Sequence, residues 1–151
     1  MNSISEFFIS LFESIGLYSS SNGLGEHLRG LSTDCNTFSN QSIYNLVFLC
    51  ILFINSFIVI NYYFGLFNRV NFTNFITWIL NLLSGSVIIF IIAFLYSNND
   101  YVTQNYCKEL NLTQSDCIGF GITSSIYAFI WSLIFSLIIK WKSSNNKKVP
   151  F

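Results

Sequence analysis

Three stretches of this chain carry no charged side chain: the residues between Asp34 and Arg69, between Arg69 and Asp100, and between Asp116 and Lys140. Each is rich in Ile, Leu, Phe and Val, and each can supply the roughly 20 apolar residues that cross a hydrocarbon core about 30 Å thick. In lipid there is no water to satisfy the backbone, and a helix closes its hydrogen bonds within one such segment. A barrel strand would instead alternate apolar and polar residues over about 10 positions, which these continuous runs do not. The sequence therefore predicts an all-α membrane protein with three transmembrane helices, at about residues 42–67, 72–96 and 118–139. Residues 97–117 are expected to form a loop and residues 140–151 a basic tail. Only 9% of the chain is charged, against about 25% in an ordinary soluble domain. With three spans in 151 residues, one compact membrane unit is expected, and no separate folded domain.

The charges predict an orientation. Lys and Arg in short loops are retained on the cytoplasmic side. Arg69 lies between the first two spans, and Lys140, Lys142, Lys147 and Lys148 follow the third. All seven acidic residues fall on the opposite side: Glu6, Glu13, Glu26 and Asp34 before the first span, and Asp100, Glu109 and Asp116 in the second loop. The expected topology is N-terminus out, C-terminus in. The first apolar stretch carries Glu6 and Glu13 and no basic leader, so no cleavable signal peptide is expected. The Asn, Ile, Phe, Lys and Ser content suits an AT-rich bacterial coding sequence, and the expected location is the bacterial inner membrane. The Asn-x-Ser/Thr sequons at Asn40, Asn71 and Asn111 are then accidental.

Cys107 and Cys117 share the outward loop, Cys35 lies in the outward N-terminal segment, and Cys50 sits within the first span as a small packing residue. Disulfides persist in extracellular or periplasmic space. A Cys107–Cys117 bridge, closing a short ring, is the expected pairing; a bridge from Cys35 to either loop cysteine and free thiols are the alternatives.

Residues 1–41 read as an amphipathic helix followed by a glycine-rich polar segment. Ile4, Phe7, Phe8, Leu11, Phe12 and Ile15 recur at helical spacing, with Glu6, Ser10 and Glu13 opposite. Ser3 and Glu6 fit a capping box, and Gly16 a stop. The helix is too short and too acidic to span, and its apolar face is expected to lie in the interface or to dock on a partner or on the protein's own spans. After it, Glu26, His27, Arg29, Asp34 and Cys35 form the densest polar cluster. His27 with Glu26 or Asp34 offers an acid–base pair, and His27, Asp34 and Cys35 a metal set, but one histidine without an HxxxH or CxxC companion is a weak metal signature. Charges that make local ion pairs or meet a partner are the plainer reading. Candidate partner-docking residues are Phe7, Phe8, Leu11, Phe12, His27 and Arg29.

No ionisable side chain lies well inside a span, which counts against a pump or coupled transporter. Ser124, Ala128, Ser132 and Ser136 stack on one helical face, where small residues allow close helix packing. Asn55 and Asn81 lie at similar depth and are expected to pair. Trp131 needs a hydrogen-bond acceptor near mid-membrane, whereas Tyr44, Tyr62, Tyr63, Trp78, Tyr96 and Trp141 are expected at the interfaces. These features predict no enzyme, no cofactor, no metal and no nucleic-acid partner. The expected partners are the lipid bilayer and other membrane-protein subunits or further copies of the chain. The function expected is a non-catalytic subunit that anchors or assembles a larger envelope complex. The alternative is a homo-oligomeric channel or membrane-permeabilising effector, with its pore lined by asparagine and serine.

Overall fold

A computed structural model describes residues 3–39, 42–65 and 74–142. Expectations that fall on Asn40, Phe67, Arg69, Asn71, Phe72, Lys147 and Lys148 lie outside the described residues, as does the side chain of Ser3. The regular structure is helical: α1 at Ser3–Glu13, α2 at Leu24–Leu28, α3 at Ile43–Cys50, a π-helical turn at Ile51–Asn55, α4 at Ser56–Phe64, α5 at Phe75–Thr103 and α6 at Gln114–Ile139. A 3-10 turn at Lys140–Lys142 follows α6, and an isolated bridge pairs Leu31 with Phe38.

Three helical stretches are long and apolar enough to cross a membrane: Ile43–Phe64, Phe75–Thr103 and Gln114–Lys142. Only 28%, 33% and 28% of their most apolar windows are buried inside the protein. Helices with so much apolar surface uncovered suit contact with lipid on most of their faces. On α6 the uncovered face includes Ile118, Ile122, Ile126, Ile130, Ile134 and Ile138, four residues apart, while Ser124, Ala128, Ser132 and Ser136 are buried.

The helices overrun the hydrophobic limits. α5 continues past Tyr96 to Thr103, and α6 starts at Gln114 rather than at Ile118, so the loop expected at 97–117 contracts to 104–113. A charge marks where hydrocarbon must end; it does not end a helix. Ser97 Oγ donates back to the Ala93 carbonyl at 2.9 Å, and α5 stops only where Gln104 takes a left-handed φ of 55°. Thr113 and Asp116 cap α6 reciprocally: the Asp116 N–H donates to Thr113 Oγ1 at 3.3 Å and the Thr113 N–H to Asp116 Oδ2 at 3.2 Å.

The contacts divide into two compact units, one drawn from residues 1–49 and 90–124 and the other from 50–89 and 125–151. The first holds α1 and α2. Its core groups Phe12, Tyr44 and Phe120 in tilted and edge-on contacts with ring centroids 5.6–6.1 Å apart, and Tyr18 meets Phe120 edge-on. A Cβ at Gly119 would sit 2.0 Å from the Leu17 carbonyl oxygen, so only glycine admits that strand of backbone. α1 ends as expected near Gly16, which has a φ of 67°. Its buried side is rotated from the expected one: Ile9 and Phe12 are buried and Phe8 stacks on Phe48 at 3.8 Å, but Phe7 is 60% exposed.

The second unit has a core of Val59, Tyr62, Tyr63, Trp78 and Leu82. Ser136 Oγ accepts the Trp78 indole N–H at 2.8 Å and lies 2.8 Å from the Tyr63 hydroxyl. Trp131 donates to Ser56 Oγ at 3.1 Å, which supplies its acceptor. Of the six aromatics expected at interfaces, Tyr44, Tyr62, Tyr63 and Trp78 are buried within the protein, while Tyr96 and Trp141 are exposed. The hydroxyls of Tyr44 and Tyr63 and the Trp78 indole N–H have intramolecular partners. Asn55 does not pair with Asn81. Ser132 Oγ lies 3.0 Å from Asn55 Oδ1, and Asn55 Nδ2 donates to the Ile51 carbonyl at 3.1 Å. Asn81 Nδ2 is buried with no hydrogen-bond partner.

Candidate functional site

The polar residues of the first unit that carry reactive chemistry cluster around α2 and the loop at 104–113. Gly23 caps the start of α2 and Gly25 is its second residue; their Cβ positions would lie 2.4 Å from Ser19 Cβ and 2.6 Å from the Ser20 carbonyl oxygen. Glycine therefore lets the chain fold tightly back before α2. That turn brings His27 Nε2 to 3.0 Å from Asp100 Oδ2 on the extension of α5, 73 residues away. The carboxylate partner of His27 is Asp100, not the adjacent Glu26 or Asp34.

A carboxylate only accepts, so neutral His27 carries its proton on Nε2 and leaves a lone pair on Nδ1. Nδ1 is buried and has no partner, and the residue as a whole is 7% exposed. The ring also lies edge-on to Tyr106, with centroids 6.4 Å apart. A general base has to reach a substrate proton, and this geometry closes the ring off from solvent.

Arg29 forms an ion pair with Glu13. Its Nε and Nη2 donate to Glu13 Oε1 and Oε2 at 3.0 and 2.6 Å, a fork that fixes the end of α1 against the segment after α2. This hydrogen bonding raises the guanidinium pKa despite partial burial, so Arg29 stays charged. Tyr44 donates to Glu13 Oε1 at 3.3 Å and accepts from Tyr18 at 3.0 Å, extending the network. Asp116 joins by accepting the Ser19 N–H at 2.8 Å.

The disulfide joins Cys35 to Cys107, with Cα atoms 5.2 Å apart, and corrects the expected Cys107–Cys117 pairing. Cys117 is a buried free thiol. It lies within α6 because that helix begins earlier than expected, and a helical side chain facing the core is not presented to the loop. Cys35 sits in a tight turn with a φ of 60°, held by its N–H on the Ser32 carbonyl at 3.0 Å. Ligand atoms of Cys35, Cys107 and Glu109 all lie within 4.8 Å of one another. With the sulfurs bonded to each other there is no thiolate to hold a metal.

Of the expected docking residues, Phe12 and His27 are buried in the protein's own first unit, Phe8 stacks on Phe48, Leu11 is half-buried, and Arg29 is held by Glu13. Phe7 alone among them is largely exposed. The sequence marked His27 and Arg29 as the polar centre but not their partners. A carboxylate 73 residues from His27 leaves no local spacing signal.

Replacing Asp100 by Ala strands His27 with both ring nitrogens unpaired in a buried site. We expect a loss of about 2 kcal/mol of stability, read by thermal unfolding in mild detergent. The double change Asp100→Ala with His27→Leu removes both partners and should cost less than the single change; an additive result would show that the pair is not coupled.

Compared with protein-family models, curated proteins and solved structures, the chain matches none.

Proposed function

We propose that the protein is a non-catalytic integral-membrane subunit that anchors or assembles a larger complex in a bacterial inner membrane. In this reading the three apolar helices span the bilayer, and the N-terminus and the disulfide-linked segments face outward while the basic tail faces the cytoplasm. The short α1 acts as an amphipathic element folded onto the outward ends of the spans. Its acidic residues leave it poorly suited to anionic lipid.

The observation that carries the reading is how the polar groups are spent. His27, Asp100, Glu13, Arg29 and Asp116 are consumed in holding the outward segments in one arrangement. Asp34 and Glu109 remain exposed around them. A rigid acidic surface of this kind suits recognition, and it presents no histidine or thiol to solvent for chemistry. Asn55 and Ser132 bond to each other inside the second unit, which favours a subunit over a pore lined by those residues.

The test is chemical crosslinking in cells followed by mass spectrometry of the gently solubilised full-length protein. A stoichiometric larger partner is expected, and recovery as a lone species after crosslinking would overturn the proposal. Orientation is read separately by an impermeant maleimide, with Glu6→Cys labelled and Lys147→Cys protected in intact cells.

A further inference from the structure

A cavity of about 350 Å³ opens beside the disulfide in the first unit. Three chain segments wall it: the turn into α2 with Asn22 and Glu26, the Leu31–Phe38 hairpin, and the loop carrying Cys107 and Glu109. The walls are fixed to one another by covalent and hydrogen bonds. Cys35 and Cys107 are joined, and the Asn111 N–H donates to the Asn22 carbonyl at 3.0 Å. Two of the lining residues, Asn22 and Cys35, hold left-handed backbone with φ of 52° and 60°. Non-glycine residues in that region persist where surrounding structure imposes them, and they concentrate at binding sites.

The lining is one-sided in charge. Glu26 and Glu109 both face the cavity, neither is ion-paired among the described residues, and no basic residue is among its described lining. Phe38, on the same cavity, is 57% exposed, and Leu31 and Leu110 add apolar floor. Two unpaired carboxylates, an exposed aromatic face and an apolar floor together complement a long side chain with an aliphatic stem and a cationic head. The volume accommodates one such side chain.

We infer that this cavity receives a lysine or arginine side chain from an outward segment of the partner subunit. The inference rests on the subunit reading above and names the chemistry by which that partner is recognised. The disulfide keeps the cavity walls together, so recognition depends on the oxidised form. Loss of the bridge frees the Cys35 hairpin from the Cys107 loop.

The experiment uses the full chain in nanodiscs of phosphatidylcholine, titrated against a dye-labelled hexalysine peptide by fluorescence anisotropy, with hexaglutamate as control. Saturable one-to-one binding of hexalysine is expected, weakened about tenfold or more by Glu26→Gln with Glu109→Gln and several-fold by Phe38→Ala. Glu6→Gln, remote from the cavity lining, should leave it within twofold. Reduction of the disulfide should weaken binding as well. Circular dichroism and thermal unfolding check that each variant remains folded. Absence of saturable binding would overturn the inference, as would equal weakening by Glu6→Gln, which would mean diffuse attraction to an acidic surface. Because the titration uses isolated protein, it fails or succeeds independently of whether a larger complex is recovered from cells.

Discussion

Gly85→Ala is expected to destabilise the protein by about 2–4 kcal/mol, although it adds a single methyl group to the middle of an apolar helix. A Cβ at Gly85 would lie 2.2 Å from Asn55 Oδ1, and the next atoms it meets are Asn55 Cγ and Ile58 Cδ1 at 3.3 and 3.5 Å. The carboxamide has no simple retreat: its Oδ1 is engaged by Ser132 and its Nδ2 by the Ile51 carbonyl in the π-helical turn. Moving it breaks those bonds in a region without water, where an unsatisfied amide is costly. The test is a comparison of three variants by reversible denaturation in detergent micelles. Asn55→Ala alone should cost about 1 kcal/mol, since Ser132 retains its bond to the Ala128 carbonyl at 2.8 Å. Gly85→Ala combined with Asn55→Ala should be more stable than Gly85→Ala alone, because the new methyl occupies space the carboxamide has left. Simple additivity of the two changes would refute this account of the site.

The same site shows why some of the fold was legible in the sequence and some was not. The three spans could be read because lipid imposes a demand on every residue of a segment at once: about twenty positions must be apolar, and three stretches comply. The small face of α6 could be read for a similar reason, since Ser124, Ala128, Ser132 and Ser136 repeat at helical spacing and all four are buried. Pairing is a different kind of information. Depth alone suggested that Asn55 would meet Asn81, but depth does not fix the rotation of a helix about its axis. The residue opposite Asn55 is Gly85, one turn further along α5, whose missing side chain makes the room. His27 stands in the glycine-rich segment well before the first span and Asp100 just after the second, and nothing in their spacing joins them. Charge marks the limit of the hydrocarbon and not the end of a helix, so termini read from charge fall short on α5 and α6. The start of α6 is marked locally by Thr113-x-x-Asp116, which caps it. That earlier start of α6 also decides the cysteine pairing, because it puts Cys117 inside the helix and leaves Cys107 to Cys35.

Cys35→Ser and Cys107→Ser should each lower stability by about 2–4 kcal/mol, whereas Cys117→Ala should cost no more than about 1–2 kcal/mol through lost packing. The Cys35–Cys107 bridge closes a sequence separation of 72 residues, for which the loop-entropy relation gives about 4 kcal/mol. That figure is an upper bound here. The closed loop contains the whole of Ile43–Phe64 and Phe75–Thr103, and helices that stay inserted in lipid after unfolding of the tertiary structure leave the open chain with less freedom to lose. A bridge between Cys107 and Cys117 would close a far shorter loop and would stabilise correspondingly less. The measurement is unfolding of the wild type and the three variants in micelles, with and without reductant, together with peptide mapping under non-reducing conditions. Reductant should bring the wild type down to the level of Cys35→Ser and leave that variant itself unchanged. The mapping should recover a fragment linking the peptide of Cys35 to that of Cys107. A wild type indifferent to reductant, or a linked fragment containing Cys117, would mean that these segments are held by the His27–Asp100 hydrogen bond and the Arg29–Glu13 ion pair without a Cys35–Cys107 clamp.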